Sequence, residues 1–267
     1  MTQYRGPRTQ KAIQGFVKRR EVPVVTQIEG AMMGQFNRVD DVVVVAYLSK
    51  DDATLLEGFR TVARELHRDY VFGHTDDASL AAAENLSVPS IKVFKNADND
   101  HRTLSGTFTS TSLASFLDTA VPTVIRDFSE KQIDTFMQRD KLTVYIFTAT
   151  DSQATSLRQN LTPLAKKYEK YVVGAIADVS RHGEMATNFL VRFGVEETEM
   201  KTPCVVVHAP LNDNVFLYEP GKKIEVVVLE GMLMGILQGK AKSGDVFGKE
   251  AADMEGEEGQ EGGHDEL

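Results

Sequence analysis

The stretch "DDVVVVAYLSKDDATLLEGFRTVARELHRDYVFGHT" (residues 40–75) decides the fold. Its run of valines, Val42 to Val45, reads as a strand buried on both faces, because a strand with one wet face alternates apolar and polar side chains. Leu55, Phe59, Val62, Ala63 and Leu66 then recur at the spacing of one helix face, with Asp51 or Asp52 as the N-cap. "YVFGHT" (70–75) returns to a strand. Strand, helix and strand in this order make a unit whose two strands pair in parallel through a right-handed crossover.

Reading outward extends the unit in both directions. Upstream, "VPVVTQI" (22–28) is a strand and "EGAMMGQFNR" (29–38) a helix. Downstream come a helix at 77–86, strands at 90–96 and 101–109, and a helix at 110–121. The same order then starts again: strand 122–129, helix 130–140, strand 141–150, helix 152–170, strand 171–179, helix 183–195, strands 202–209 and 214–221, and a helical 222–240. Two copies of βαβαβαββα, each of about 100 residues, are the most informative pattern in the chain. Short polar turns join the last two strands of each copy, so those strands run antiparallel. The expectation is α/β: two tandem domains, each a central mixed sheet flanked by helices. Pro163 falls inside the helix at 152–170, where proline costs about 3 kcal/mol and needs a tertiary reason.

The chain has 267 residues and a net charge of −9, which excludes a broad basic surface for nucleic acid. No apolar run approaches the ~18 residues of a membrane helix, so no membrane partner is expected. One cysteine excludes an internal disulfide and dithiol chemistry within the chain, and the six histidines show no metal-ligand spacing. Neither a metal nor any other cofactor is expected. Residues 242–267 lose apolar periodicity and are rich in Gly and Glu, which predicts disorder. They end in His264-Asp265-Glu266-Leu267, which reads as an endoplasmic reticulum retrieval signal. The first twenty residues lack the apolar core of a secretory leader, so the expectation is that the natural start lies upstream. Asn85-Leu86-Ser87 and Asn160-Leu161-Thr162 are glycosylation sequons, the first beside a loop and the second inside a helix.

Both copies place proline at a helix-to-strand junction: "SVPSIKVFKN" (87–96) and "KTPCVVVHAP" (201–210). This resembles the cis-proline loop of the thioredoxin fold, and the resemblance implies cis bonds at Pro89 and Pro203. Residues 42–75 resemble the b domain of protein disulfide isomerases. "TVIRDFSEKQIDTFM", "YIFTATD" and "FLVRFGVEETEMKTPCVVVHAP" resemble the b′ domain. "YRGPRTQKAIQGFVKRR" (4–20) resembles the end of a preceding catalytic domain. The implied organisation is 1–20 as a remnant of that domain, 21–121 as b-like, 122–241 as b′-like and 242–267 as the tail.

The family's catalysis needs a Cys-x-x-Cys pair at the start of the second helix, where the first thiol ionises easily. The first copy has "LSKDDATLLEG" there. In the second, family spacing from Pro163 puts the pair at Thr155 and Arg158. Cys204, among valines on a strand, reads as a buried, inert thiol. No catalytic residue is expected in this chain; whether it belongs to an enzyme depends on what precedes it.

What remains is binding. The resemblance implies an apolar pocket in the second domain for unfolded or misfolded proteins, lined by Tyr145, Phe147, Leu161, Ala175, Phe189 and Phe193. For each of these, plain core packing is the competing reading, and an exposed cluster would decide for the pocket. Beside a purely structural reading, the second domain as a spacer positioning a catalytic domain, two functions stay open, both in the lumen of the endoplasmic reticulum. One is the non-catalytic part of a disulfide isomerase whose catalytic domain lies upstream. The other is a non-catalytic adaptor or chaperone that recruits a separate oxidoreductase. A retrieval receptor for the C-terminus is a partner in both.

Overall fold

A computed structural model describes residues 10–128, 133–179, 188, 191–193 and 203–248. The chain divides into two compact units, residues 1–123 and 124–267.

The first unit is a five-stranded sheet in the order β1-β3-β2-β4-β5, with β1 Thr26–Gln27, β2 Val42–Tyr47, β3 Val71–Thr75, β4 Ser90–Lys95 and β5 Arg102–Ser105. β1 and β2 lie parallel to β3, while β4 runs antiparallel to β2 and to β5. The valines of β2 fill both faces as their pattern requires. Val44 and Ala46 pack with Phe59, Val62, Leu113 and Leu117 on one side. Val43, Val45 and Tyr47 pack with Ile28, Met33 and Phe36 on the other. The covering helices are α3 Ala53–Leu66 and α5 Ser110–Ala120 on the first face.

Local signals fix the helix starts. Thr109 and Ser112 form a capping box at α5. Asp77 accepts from the Ser79 N–H at the start of α4, Ala78–Ala83. Asp52 occupies the N-cap of α3, but its carboxylate accepts from the Ser49 N–H and hydroxyl instead, both at 2.8 Å. The helix expected at 29–38 is one 3₁₀ turn, Gly30–Met32, followed by a single α-turn, α2 Met33–Phe36. Gly34 offers no side chain to pack there, and only Met33 and Phe36 are buried. The N-terminal segment read as a foreign remnant forms helix α1, Gln10–Glu21, and Arg19 pairs with Asp40 at 2.6 Å.

The second unit is a six-stranded sheet in the order β11-β10-β9-β7-β8-β6. Its strands are β6 Ile125–Asp127, β7 Leu142–Thr148, β8 Val172–Asp178, β9 Cys204–Ala209, β10 Asn214–Tyr218 and β11 Val246–Phe247. The same mixed pattern recurs: β6 and β7 parallel to β8, then β9 antiparallel to β7 and β10. Short helix α6 (Ile133–Phe136), long helix α7 (Asp151–Lys167) and helix α8 (Val226–Leu237) accompany it. The repeat extends to a detail. Gly73 of β3 faces Thr26, and Gly174 of β8 faces Ile125, each at the contact with the first strand of its sheet. A Cβ on Gly73 would stand 2.6 Å from both Ile28 Cδ1 and Phe36 Cε1; on Gly174 it would stand 3.1 Å from Ile125 Cγ2.

Three features bear on the sequence reading. The tail expected to be disordered from 242 keeps its first residues in the fold, because β11 pairs with β10 through Leu217–Val246 and Tyr218–Phe247. Two apolar residues suffice where a sheet edge offers open hydrogen-bonding groups. The turn after β4 holds a buried ion cluster: Lys95 Nζ lies 3.1 Å from Asp98, 3.4 Å from Asp100 and 2.8 Å from the Pro122 carbonyl. Finally, α7 begins at Asp151, with Thr150 accepting from the Gln153 N–H. Thr155 and Arg158 therefore lie inside the helix and not at its N-terminus. Arg158 is buried, donates to the Ile125 carbonyl at 3.0 Å and pairs with Asp127, tying α7 to edge strand β6.

Candidate functional site

β7 presents its alternate residues to the two faces of the second sheet. Tyr145 and Phe147 point to one, Val144 and Ile146 to the other. On the first face Tyr145 and Phe147 meet Ala175, Phe193, Phe128, Phe136 and Cys204. The rings form a connected set: Tyr145 to Phe193 at 5.4 Å, Tyr145 to Phe128 at 6.1 Å, Tyr145 to Phe147 at 6.5 Å and Phe128 to Phe136 at 5.9 Å. Such distances are those of mutually attractive aromatic pairs.

The structure brings four of the six expected pocket residues together: Tyr145, Phe147, Ala175 and Phe193. It corrects the reading that they line an open pocket. Tyr145 is 0% exposed, Phe147 1% and Phe193 6%, so they are core. The Tyr145 hydroxyl reaches the Phe136 carbonyl at 3.5 Å, and burial pushes the phenol up to about 12. Leu161 belongs to the opposite layer, packed with Val144, Ile146, Leu229 and Leu233 between α7, α8 and the sheet. The helical phase of α7 turns it there. Phe189 lies outside the described residues, as do Thr202 of the Thr202–Pro203 bond and the C-terminal tetrapeptide 264–267. The Val88–Pro89 peptide is cis. Cys204 pairs in register with Phe147 and is buried, which pushes its thiol up to about 12.

His208, also on β9, lies tilted against Phe193 at 5.2 Å and shares a 2.7 Å hydrogen bond with Asp213. Asp213 sits at φ 56° in the β9–β10 turn. Among the described residues no group of three or more His, Cys, Asp or Glu comes together to hold a metal ion, and no helix is long and apolar enough to cross a membrane.

An exposed apolar cluster lies where β9 turns into β10, at the end of the sheet where β7 begins. Leu211 in the β9–β10 turn is 66% exposed, Tyr171 before β8 57% and Leu237 at the end of α8 41%. With Leu142 and Pro210, and with Arg139, Asp140, Lys141 and Asn212 as polar neighbours, they line an open groove of about 200 Å³. That is below the ~300–1,000 Å³ of small-molecule pockets and suits one or two side chains of a peptide. Sequence reading passed over it, although an apolar residue at the tip of a polar turn, "APLND" (209–213), was its signal.

The family described as "Thioredoxin-like domain" matches residues 48–230. Curated relatives named "Protein disulfide-isomerase" match nearly the whole chain. That of Aspergillus niger is 21% identical over 90% of this chain and 45% of its own length; that of Humicola insolens is 24% identical over 89% and 46%. The chain belongs to the thioredoxin-like protein disulfide isomerase family. It spans somewhat under half the length of these relatives. Among solved structures, the bb fragment of ERp72 superposes with a TM-score of 0.51 at 17% identity, covering 83% of this chain and all of that fragment. A crystal form of human ERp44 superposes with a TM-score of 0.50 at 16% identity, covering 89% of this chain and 64% of that one. At such identity these two establish the fold: tandem thioredoxin-like domains.

Within that family fold, the pole at which β2 and β3 end carries Leu48-Ser49-Lys50-Asp51-Asp52, and the equivalent pole of the second unit carries Ala149-Thr150-Asp151-Ser152. Neither contains a thiol at the start of the following helix.

Proposed function

We propose that this chain is the non-catalytic, client-binding part of a protein-folding factor of the endoplasmic reticulum lumen. It holds unfolded or misfolded proteins while thiol–disulfide exchange is performed by a Cys-x-x-Cys domain elsewhere in the same protein. The observation that carries the binding role is the exposed cluster of Tyr171, Leu211 and Leu237 in the second unit. Apolar side chains on a soluble surface mark interaction sites when they cluster, and unfolded chains have in common exposed apolar side chains, not a sequence. The aromatic set on β7 is buried core, and the client surface is the groove at the end of the sheet where β7 begins.

Redox silence follows from the same residues. Serine, lysine, aspartate and threonine occupy the helix starts at which the family's thiols act, and Cys204 is both buried and held protonated. That the match takes up only 45% and 46% of the named relatives' length supports placing the catalytic domain outside this chain, in preference to the adaptor reading. The terminal His264-Asp265-Glu266-Leu267 supports the lumenal address and a retrieval receptor as partner.

The purified chain is expected to suppress aggregation of a denatured client at stoichiometric amounts and to leave insulin disulfides unreduced in the presence of a dithiol. Catalysed insulin reduction would overturn the redox-silent reading. Client aggregation that proceeds unchanged at a several-fold excess of the chain would overturn the binding one.

A further inference from the structure

We propose that Asn85 carries an N-linked glycan, and that the second sequon of the chain, at Asn160, does not. The proposal rests on the lumenal reading above, since glycan transfer takes place in that compartment.

Asn85 follows α4 in a turn that is closed by its backbone alone. Its N–H donates to the Ala82 carbonyl at 3.0 Å, and the Leu86 N–H to that of Ala81 at 2.9 Å. The residue sits at φ 54°, a conformation asparagine tolerates better than most residues. Leu86 packs against the core under β2, anchoring the turn. The two residues that the transferase must read, the Asn85 amide and the Ser87 hydroxyl, are both exposed. A surface turn with the acceptor and its hydroxyl partner free is the context in which the Asn-x-Ser/Thr motif acts. Asn160-Leu161-Thr162 has the same spelling and the opposite setting. It is wound into α7, Leu161 and Thr162 are buried, and the Thr162 hydroxyl donates to the Arg158 carbonyl at 2.8 Å.

The step is a group transfer. The Asn85 amide nitrogen bonds to the anomeric carbon of an oligosaccharide carried on a polyprenyl pyrophosphate. The bond from that carbon to the pyrophosphate oxygen breaks, the pyrophosphate leaves with its electron pair, and the amide nitrogen gives up one proton.

Its position gives the glycan a consequence. Ser87 and exposed Val88 lead through cis-Pro89 into β4, whose first residue, Ser90, lies in register with Tyr47 at the end of β2, which in turn faces Thr75 at the end of β3. A glycan on Asn85 therefore stands at the pole where β2 and β3 end and α3 begins. A bulky, hydrated chain there keeps polypeptides off that pole of the first unit and leaves the second unit to bind them.

The full chain is secreted behind a leader from a eukaryotic host and its gel mobility compared before and after peptide:N-glycosidase digestion. One mobility step is expected for the parent chain and for Asn160→Gln. It is expected to vanish in Asn85→Gln and in Ser87→Ala, which leaves Asn85 and its turn in place, and to persist in Ser87→Thr. A parent chain with no step, or a step that survives Asn85→Gln, overturns the proposal. The leader places the chain in the lumen whatever its natural address, so failure here is separate from failure of the lumenal reading. The latter is read by whether deletion of residues 264–267 changes retention.

Discussion

Leu211→Ser separates the two surfaces on which this family member could hold a client. Leu211 is 66% exposed, so its side chain contributes little to folding, and the substitution is expected to change stability by no more than about 0.5 kcal/mol. Burying a whole leucine is worth about 1.5–3 kcal/mol. About two-thirds of that is still to be gained when a client covers Leu211, or about 1–2 kcal/mol. The expected loss is therefore about 5- to 30-fold in Kd. The assay is fluorescence anisotropy of a labelled apolar peptide, with urea unfolding run alongside. Phe147→Ala is the counterpart. Phe147 is core, and its truncation is expected to cost about 3–5 kcal/mol of folding, so any binding loss should track the loss of folded protein. Unchanged peptide affinity in Leu211→Ser, with the fold intact, would refute the groove. A loss of affinity in Phe147→Ala while its urea midpoint stays at the parent value would return the site to β7.

Other outcomes follow from the packing. Gly73→Ala is expected to destabilise the first unit by about 1–3 kcal/mol, because its Cβ would meet Ile28 and Phe36 at 2.6 Å, whereas Gly174→Ala, with Ile125 at 3.1 Å, is expected to cost less; urea midpoints check the order. Lys95→Met removes the buried cation from beside Asp98 and Asp100, leaving Arg102 on Asp100 at 2.6 Å, and is expected to cost about 3–5 kcal/mol, whereas Lys95→Met with Asp98→Asn and Asp100→Asn should recover part of that. Cys204 should resist a thiol reagent in the native chain and react once per chain in denaturant. Its folded pKa, about 12, lies above the ordinary value of 9.0. Stability from this group is thus present below pH ~9 and lost as pH rises toward 12; Cys204→Ala should flatten that alkaline fall in thermal unfolding.

The frame of both units was legible because it is written in periodicities. Val42–Val45 and residues 141–150 could only be strands filled on both faces, and the short polar turns after β4 and β9 set the antiparallel partners. The site was less legible. Apolar residues at 145, 147, 161 and 193 look alike whether they line a pocket or a core, and sequence does not say what covers them. Strand alternation put Tyr145 and Phe147 on one face correctly. The helical phase of α7, fixed by a cap at Thr150, was needed to put Leu161 on the other. Spacing counted back from Pro163 led to Thr155 and Arg158, but the helix begins at Asp151. The ion cluster around Lys95 carries no pattern at all, because its partners meet only when the turn after β4 closes.

β11 also bears on what can add to the second sheet. A protein that handles extended chains risks having one of them add to an open sheet edge as a further strand. In the second unit β10 is shielded on that side by Val246 and Phe247, and the Glu219 N–H is satisfied by the Phe247 carbonyl at 2.8 Å. A further chain meeting the sheet on that side would find only the two residues of β11 to pair with, while β6 bounds the sheet at its other edge.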